Sequence, residues 1–442
     1  MADNSELEPW IASSYELLDD LTWKITIKDG VCFSNGNLCD AEAVKKNFEH
    51  LIEVHERARG DLKIASMEAK GNILTVTTKT PNPALINYMS EAYGCIIDVE
   101  AGITKEGIVI GTGPYMATEL VTDDHLNLVK NDNYWNGKVN IDEITVRTIS
   151  NGDTLALALQ SGEIDAAYGM AYVSYPLFEN DNYTFSSTQT SRSFYCQMNY
   201  HSPVIQDDAV RKAIAMGIDK EGFVNTLLNG YGYVGKGAFP ESFPFGGQHV
   251  TTETYDLEGA KKVLEKAGWV DSDGDGIREK DGTKLSVRWL SYPSRQELPL
   301  LAESAQATLK KIGIEVIPNV TADHNSICKD ADAWDIYVGA NVNCGLGDPM
   351  NFFSTHCMDS SVKNRGQYHS DELEKLGAKL NTTFDKAKRA ELTIKMQQEL
   401  LDDNAFIFCS FLKMSMIAKS NVTGLTAHTS DFYELTADLD IN

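Results

Sequence analysis

The sequence predicts a mixed α/β fold divided among more than one domain. Three observations lead there. A chain of 442 residues is longer than one hydrophobic core usually serves, since domains commonly run to about 150 residues. The first third alternates apolar and polar residues at the period of strands, and Leu285 to Ile317 reads strand, helix, strand, a βαβ unit. Hydrophobic content of 42% against 23% charged residues is that of a globular chain able to bury sizeable cores.

Each element has a local reason. Leu21 to Val31 alternates as a strand that ends at Asp29-Gly30, and Asp40 then caps a helix whose apolar face continues through Val44, Phe48 and Leu51. Ile64 to Thr80 reads as a hairpin turning at Lys70-Gly71-Asn72. Pro81 and Pro83 close it before the apolar segment Ala84 to Met89. Gly111, Gly113 and Pro114 punctuate the chain ahead of the half-buried strand Leu126-Asn127-Leu128-Val129. Asn131-Asp132-Asn133 stops that strand and sets Tyr134 and Trp135 beside a turn where Gly137 supplies backbone freedom. Asp153 to Gly162 has a helical pattern, and Glu163 to Tyr168 follows as a short buried strand. Asp207 and Asp208 open the next helix with acids in its first turn, as the helix dipole favours. Pro240 to Gly247 has the proline and glycine density of a crossing segment. Beyond it lie the strand from Leu285, the helix Leu298 to Ile312 closed by Gly313, and the strand Ile314 to Ile317. Trp334 to Val338 alternates like a buried strand, and Lys386 to Leu401 is a long amphipathic helix.

Charge and cysteine usage exclude several function classes. A formal charge of -25 repels nucleic acid and anionic membranes, and no Lys/Arg run offsets it. No segment reaches the roughly 18 apolar residues of a membrane helix. The eight cysteines, Cys32, Cys39, Cys95, Cys196, Cys328, Cys344, Cys357 and Cys409, contain no C-x-x-C pair, which argues against zinc-finger and thioredoxin-like sites. Cys32 and Cys39 flank a turn-rich stretch, but a disulfide also needs a distance that sequence does not supply.

The motif-like strings divide into weak and absent. Asp271-Ser272-Asp273-Gly274-Asp275-Gly276 begins like a calcium loop, yet the twelfth position, where a bidentate Glu belongs, is Gly282. The expectation is a solvated turn, with calcium on Asp271, Asp273 and Asp275 as the alternative. Gly230 to Gly235 satisfies G-x-G-x-x-G, but a helical pattern rather than a strand precedes it, so no dinucleotide site is expected. No H-E-x-x-H, G-x-S-x-G or P-loop occurs, so there is no positive evidence for an enzyme.

Six motifs occur together in one order: Pro9 to Glu16; Gly111-Thr112-Gly113-Pro114-Tyr115 with Lys130 to Trp135; Ser161 to Gly169; Asp207 to Asp219; Ala267-Gly268-Trp269; and Gly347-Asp348-Pro349 with Asn351-Phe352-Phe353. The chain in this respect resembles the family 5 extracellular solute-binding proteins, the peptide- and nickel-binding receptors of bacterial ABC importers. The resemblance implies a bilobal periplasmic-binding-protein-like α/β fold, class II and cluster C, with an added β-rich subdomain. It implies residues 1–150 as the β-rich part of the first lobe, 151–238 as that lobe's α/β core, 239–418 as the second lobe, and 419–442 as a return to the first. It also implies an extracellular or periplasmic monomer, lipid-anchored in its full-length form, whose signal sequence and roughly forty further residues precede Pro9.

The same resemblance implies the ligand and its contacts. Tyr93, Arg192, Asn341, Asn343, Cys344, Gly345 and Ser430 fall at positions expected to border a cleft between lobes. Peptide receptors of the family place an Asp where Gly345 stands, and a buried peptide ammonium without that counter-charge costs several kcal/mol. A nickel-type chelate is therefore the favoured ligand over a short peptide, although Asn343 and Gly347 replace the aromatic residues of the nickel receptors. Lys130 stands where an arginine often binds the chelate's carboxylate. His356 and Cys357 are candidate direct metal ligands. No tightly bound cofactor is expected, and the partners are the solute and an ABC permease. The rival reading is a sensor or regulatory domain on the same fold.

Overall fold

The computed structural model describes residues 6–430, 432 and 434–442. Asp431, next to the candidate Ser430, and residues 1–5 lie outside them. Local signals set most elements. Asp40 accepts a hydrogen bond from Ala43 N and starts the helix Ala41–Val54, Asp207 caps Asp208–Gly217, and Gly313, at φ 85°, ends the turn after Glu297–Lys310. The β-rich part holds two sheets. One orders Ala12–Asp19, Thr22–Ile27, Ile73–Thr78 and Ile64–Lys70 side by side, and the other is the meander Tyr115–Val121, His125–Lys130 and Glu143–Arg147. Trp23, Ile25, Phe33, Phe48, Leu74 and Val76 fill the core beneath the first sheet.

A seven-stranded sheet organises the rest. Its order is Gly232–Val234, Phe406–Lys419, Tyr183–Met198, Ile336–Val342, Ser286–Ser291 and Glu315–Val320, with Ala166–Tyr168 pairing the far end of Phe406–Lys419. Ser286–Ser291 runs parallel to both Glu315–Val320 and Ile336–Val342, as the βαβ pattern required. Tyr183–Met198 and Phe406–Lys419 are antiparallel and span both lobes. Residues 183–189 and 413–419 pair with each other beside Ala166–Tyr168, whereas residues 192–198 pair with Ile336–Val342. Register shifts fall at Phe408/Ser410 and Phe411/Lys413, midway along the pair. Bulges bend a strand locally, and these fall where the pair passes from Ala166–Tyr168 beside it at one end to Ile336–Val342 at the other.

Helix Asp208–Gly217 contacts Leu257–Lys266 and Glu297–Lys310, Trp269 Nε1 donates to Asp207 at 3.0 Å, and one buried cluster contains Val210, Ile214, Phe223, Leu264, Leu301 and Trp289. Helix 208–217 thus packs its apolar face on the helices of the βαβ side, within a cluster that also takes in Leu159, Tyr175 and Phe178. The long strands change neighbours near 190–192 and 411–413. Phe239, Phe352, Phe353, Leu400 and Phe406 form a further core on the sheet's other face.

Candidate functional site

Parallel strands of an α/β sheet carry binding groups at their carboxyl ends, in the crevice beyond. Here those ends are Ser291 and Val342, with Val320 on the outer strand. Tyr292 continues the first: its Oη accepts from Ala340 N at 3.0 Å, and His324 stacks on its ring with centroids 4.3 Å apart. His324 Nδ1 lies 3.2 Å from Tyr337 Oη. Burial, and then the charge of Arg365, hold the His324 pKa below its ordinary value. Arg365 lies over the Tyr337 ring, 4.3 Å from its centroid.

The second lobe's loop after Val342 is held from beneath. Asn343 N donates to Ser191 O, its side chain donates to Ser193 Oγ at 2.9 Å and Ala238 O at 2.7 Å, and Cys344 N donates to Ser191 Oγ at 3.0 Å. Asn341 Nδ2 donates to Asn343 Oδ1 at 3.0 Å. Asn343 is wholly buried and holds Asn341 and the loop in place through these bonds. Gly345 comes against the C-terminal segment: a Cβ there would sit 4.0 Å from Ser430 O. Ser430 is buried, with Oγ 2.7 Å from His428 Nδ1. Arg192 is the strand partner of Val342. Arg192, Asn341, Asn343, Cys344, Gly345 and Ser430 are thus gathered where the two long strands meet the Asp-Pro loop.

Tyr93 stands elsewhere. Its Oη donates to Asp61 at 3.1 Å and its ring lies under Arg57, within the β-rich part. Lys130 pairs with Asp142 at 2.6 Å on an exposed strand. His356 is buried between Phe352 and Tyr195, and Cys357 is buried in the same core. Burial pushes the Cys357 and Cys344 thiols up and the His356 imidazole down. Among the described residues neither His356 nor Cys357 gathers with a third donor.

Asp271, Asp273 and Asp275 do converge, and Glu279 joins them. Counting to the twelfth position missed Glu279, which folds back to accept from Ser272 N and Oγ. Asp271 accepts from Gly274 N and Gly276 N, and Asp275 pairs with Lys284 at 2.5 Å. The carboxylates are occupied by their own turn and one lysine, an arrangement that suits a self-capped loop better than a calcium cage. All eight cysteines are free thiols, Cys32 and Cys39 included.

The β-rich part closes over this region. Leu346 is buried in its core beside Leu85 and Tyr88, Asn87 Nδ2 donates to Leu346 O at 2.6 Å, and Phe384 approaches Trp23 with centroids 6.2 Å apart. Behind that contact Asp348 and Arg389 form a buried ion pair, and a cavity of about 130 Å³ lies between Asp61, Asn82 and Tyr88 on one side and Met350, Ser354 and Arg389 on the other.

Two α/β bodies joined by two bulged strands, with a third, β-rich element closing on the second lobe, define a bilobal solute-binding protein. The family model described as the middle region of bacterial extracellular solute-binding proteins, family 5, matches residues 6–364, and the chain belongs to that family. The nickel-binding periplasmic protein of Escherichia coli strain K12 is 27% identical over 444 residues, covering 95% of this chain and 83% of that one. The oligopeptide-binding protein AppA of Bacillus subtilis is 25% identical over 458 residues, covering 96% and 82%. The structure of Staphylococcus aureus NikA in complex with Ni(L-His)2 is 24% identical, with a TM-score of 0.85 over 100% of this chain and 92% of that one. These likenesses agree with the family, the α/β class and a binding rather than catalytic role. No helix of the described residues is long and apolar enough to cross a membrane.

Proposed function

We propose that this protein is the solute-capturing component of an ABC importer, and that it closes its lobes around a small hydrophilic ligand of the nickel-chelate or short-peptide kind. The pair of bulged strands Tyr183–Met198 and Phe406–Lys419 carries the reading. A solute touching both lobes binds the closed form better than the open one, and that difference in affinity drives closure, which the permease then reads. The relatives' nickel and oligopeptide ligands bound the ligand class. Within it, Gly345 favours the chelate, since no carboxylate stands at that position to hold a peptide's amino terminus. Arg192, Asn341, Gly345 and Ser430 are the proposed contacts, with Asn343 and Cys344 as supports. The location proposed is outside the cell membrane, with a lipid anchor upstream of the residues described and a monomer as the working unit. Native mass spectrometry of protein purified without added ligand tests the class. Nickel with a small organic molecule supports the chelate, a ladder of peptide masses without metal replaces it by peptide, and failure to bind members of either class rejects capture.

A further inference from the structure

Cys196 and Cys409 stand 213 positions apart in the chain, yet their sulfurs lie 3.8 Å from each other across the two long strands. The backbone brings them there. Cys196 is the ladder partner of Ile407, and Cys409 is the residue passed over where the register shifts between Phe408 and Ser410. Both side chains join the same buried cluster as Phe194, Ile407 and Leu412, and neither is exposed.

A lysine lies beside them without a carboxylate. Lys220, in the short helix Lys220–Gly222, is only 8% exposed and takes part in no ion pair among the described residues. Its Nζ donates to Gly235 O at 3.2 Å, and Gly235 N donates to Cys409 O at 3.1 Å, so the ammonium and the thiol share one backbone neighbour. Burial lowers the Lys220 pKa, and the groups that act against burial are Cys409 and Cys196. The hydrogen bond with Cys196 lowers the Cys409 pKa against the effect of burial, with the charge of Lys220 adding to it, whereas burial raises that of Cys196. Packing of small apolar residues would account for two thiols in contact, but not for a buried ammonium next to them, which is costly unless an anion accompanies it. A thiolate and a thiol in contact are the arrangement from which a disulfide forms.

We propose that Cys196 and Cys409 are a redox-convertible pair, joined as a disulfide between the two long strands when the chain folds in the presence of a small-molecule disulfide. The Cys409 thiolate attacks one sulfur of that oxidant, which releases its other half as a thiolate and leaves a mixed disulfide on Cys409. Cys196, deprotonated in turn, attacks Cys409 Sγ and expels the second half. The two released thiolates take up the two protons that the cysteines gave up. Two electrons thus pass from the protein thiols to the small disulfide, which ends as two thiols. The exchange takes place while the strands pair and Lys220 docks, before the core closes over the sulfurs. Rotation of the two side chains brings the sulfurs from contact to the bonded distance of about 2 Å. The family is one of extracellular proteins, and disulfides persist outside the cell. A link that closes so long a loop removes more freedom from the unfolded chain than one closing a short loop. The proposal is independent of the ligand and of the capture function.

Refolding the full chain from urea with oxidised glutathione, then blocking the remaining thiols with N-ethylmaleimide and mapping peptides without reduction, tests it. The expected main cross-link joins the peptides that carry Cys196 and Cys409. The linked chain should melt about 5 °C above the chain refolded with reductant, and Cys409→Ala should abolish both the cross-link and the oxidant-dependent rise. Should Cys409→Ala fail to fold, the map and melting curves of the wild-type chain decide alone. Recovery of Cys196 and Cys409 as separately blocked thiols from the refolded wild-type chain overturns the proposal. So does a map in which other cysteines are linked and these two are not, or a linked chain that melts at or below the temperature of the reduced one.

Discussion

His356 shows how residue environment outranks residue type. Its ring lies between Phe352 and Tyr195, and burial first, then Lys363 and Arg365, depress its pKa well below the ordinary histidine value. The unfolded chain takes up that proton near pH 6.5, while the folded one does not. Below that pH the unfolded state therefore holds more protons, and stability falls as the solution is acidified. His356→Gln is expected to flatten the loss between pH 7 and pH 5.5, measured as the shift of the urea midpoint. A variant as acid-sensitive as wild type would mean that His356 is charged in the folded state. Adjacency to Cys357 made His356 look like a metal ligand in the sequence, because residue types are visible there and burial is not.

Elements fall into those written locally and those written by pairing. Helices Ala41–Val54, Asp208–Gly217 and Lys386–Asp402 begin at Asp40, Asp207 and Asp385, each accepting from a backbone N–H of the first turn. Caps are short-range, so they can be read from a few residues. The strand Phe406–Lys419 was not legible. Its apolar run has no period that distinguishes a buried strand from a buried helix, and its partner Tyr183–Met198 lies more than 200 positions away. The loop bearing Lys363 and Arg365 hangs on the end of that partner through Gly366, whose O accepts from Tyr200 N at 2.8 Å. A Cβ at Gly366 would collide with the Met198 carbonyl, a backbone atom that cannot swing aside. Gly366→Ala is accordingly expected to cost about 1–3 kcal/mol of stability, checked by denaturant titration. Unchanged stability would show that the loop is not fixed to the strand.

At the scale of the whole molecule, the proposed closure would be a packing event as well as a ligand-binding one. Leu346, from the Asp-Pro loop of the second lobe, is buried in the β-rich core with only 5% of its surface exposed. On the proposed capture mechanism, opening the cleft would expose it. Leu346→Ala should therefore act on the closed form alone, costing it about 2 kcal/mol and weakening solute binding by about 30-fold. The melting temperature without ligand should move little, because the core of each lobe is intact. Calorimetry and melting curves together decide it. Equal affinity, or a large drop in the melting temperature of the ligand-free protein, would show that Leu346 belongs to a fixed interface, and that the β-rich part does not move against the second lobe.

The amino-acid sequence by itself determined the α/β class, the caps and turns, the Asp-Pro loop and the membership of a solute-binding family, all of which depend on residues close together in the chain or on motifs in a set order. Tertiary structure alone decided which distant strands pair and which cysteines and histidines are sealed in cores. Those properties are sums over contacts between distant segments, and no local stretch of chain contains them.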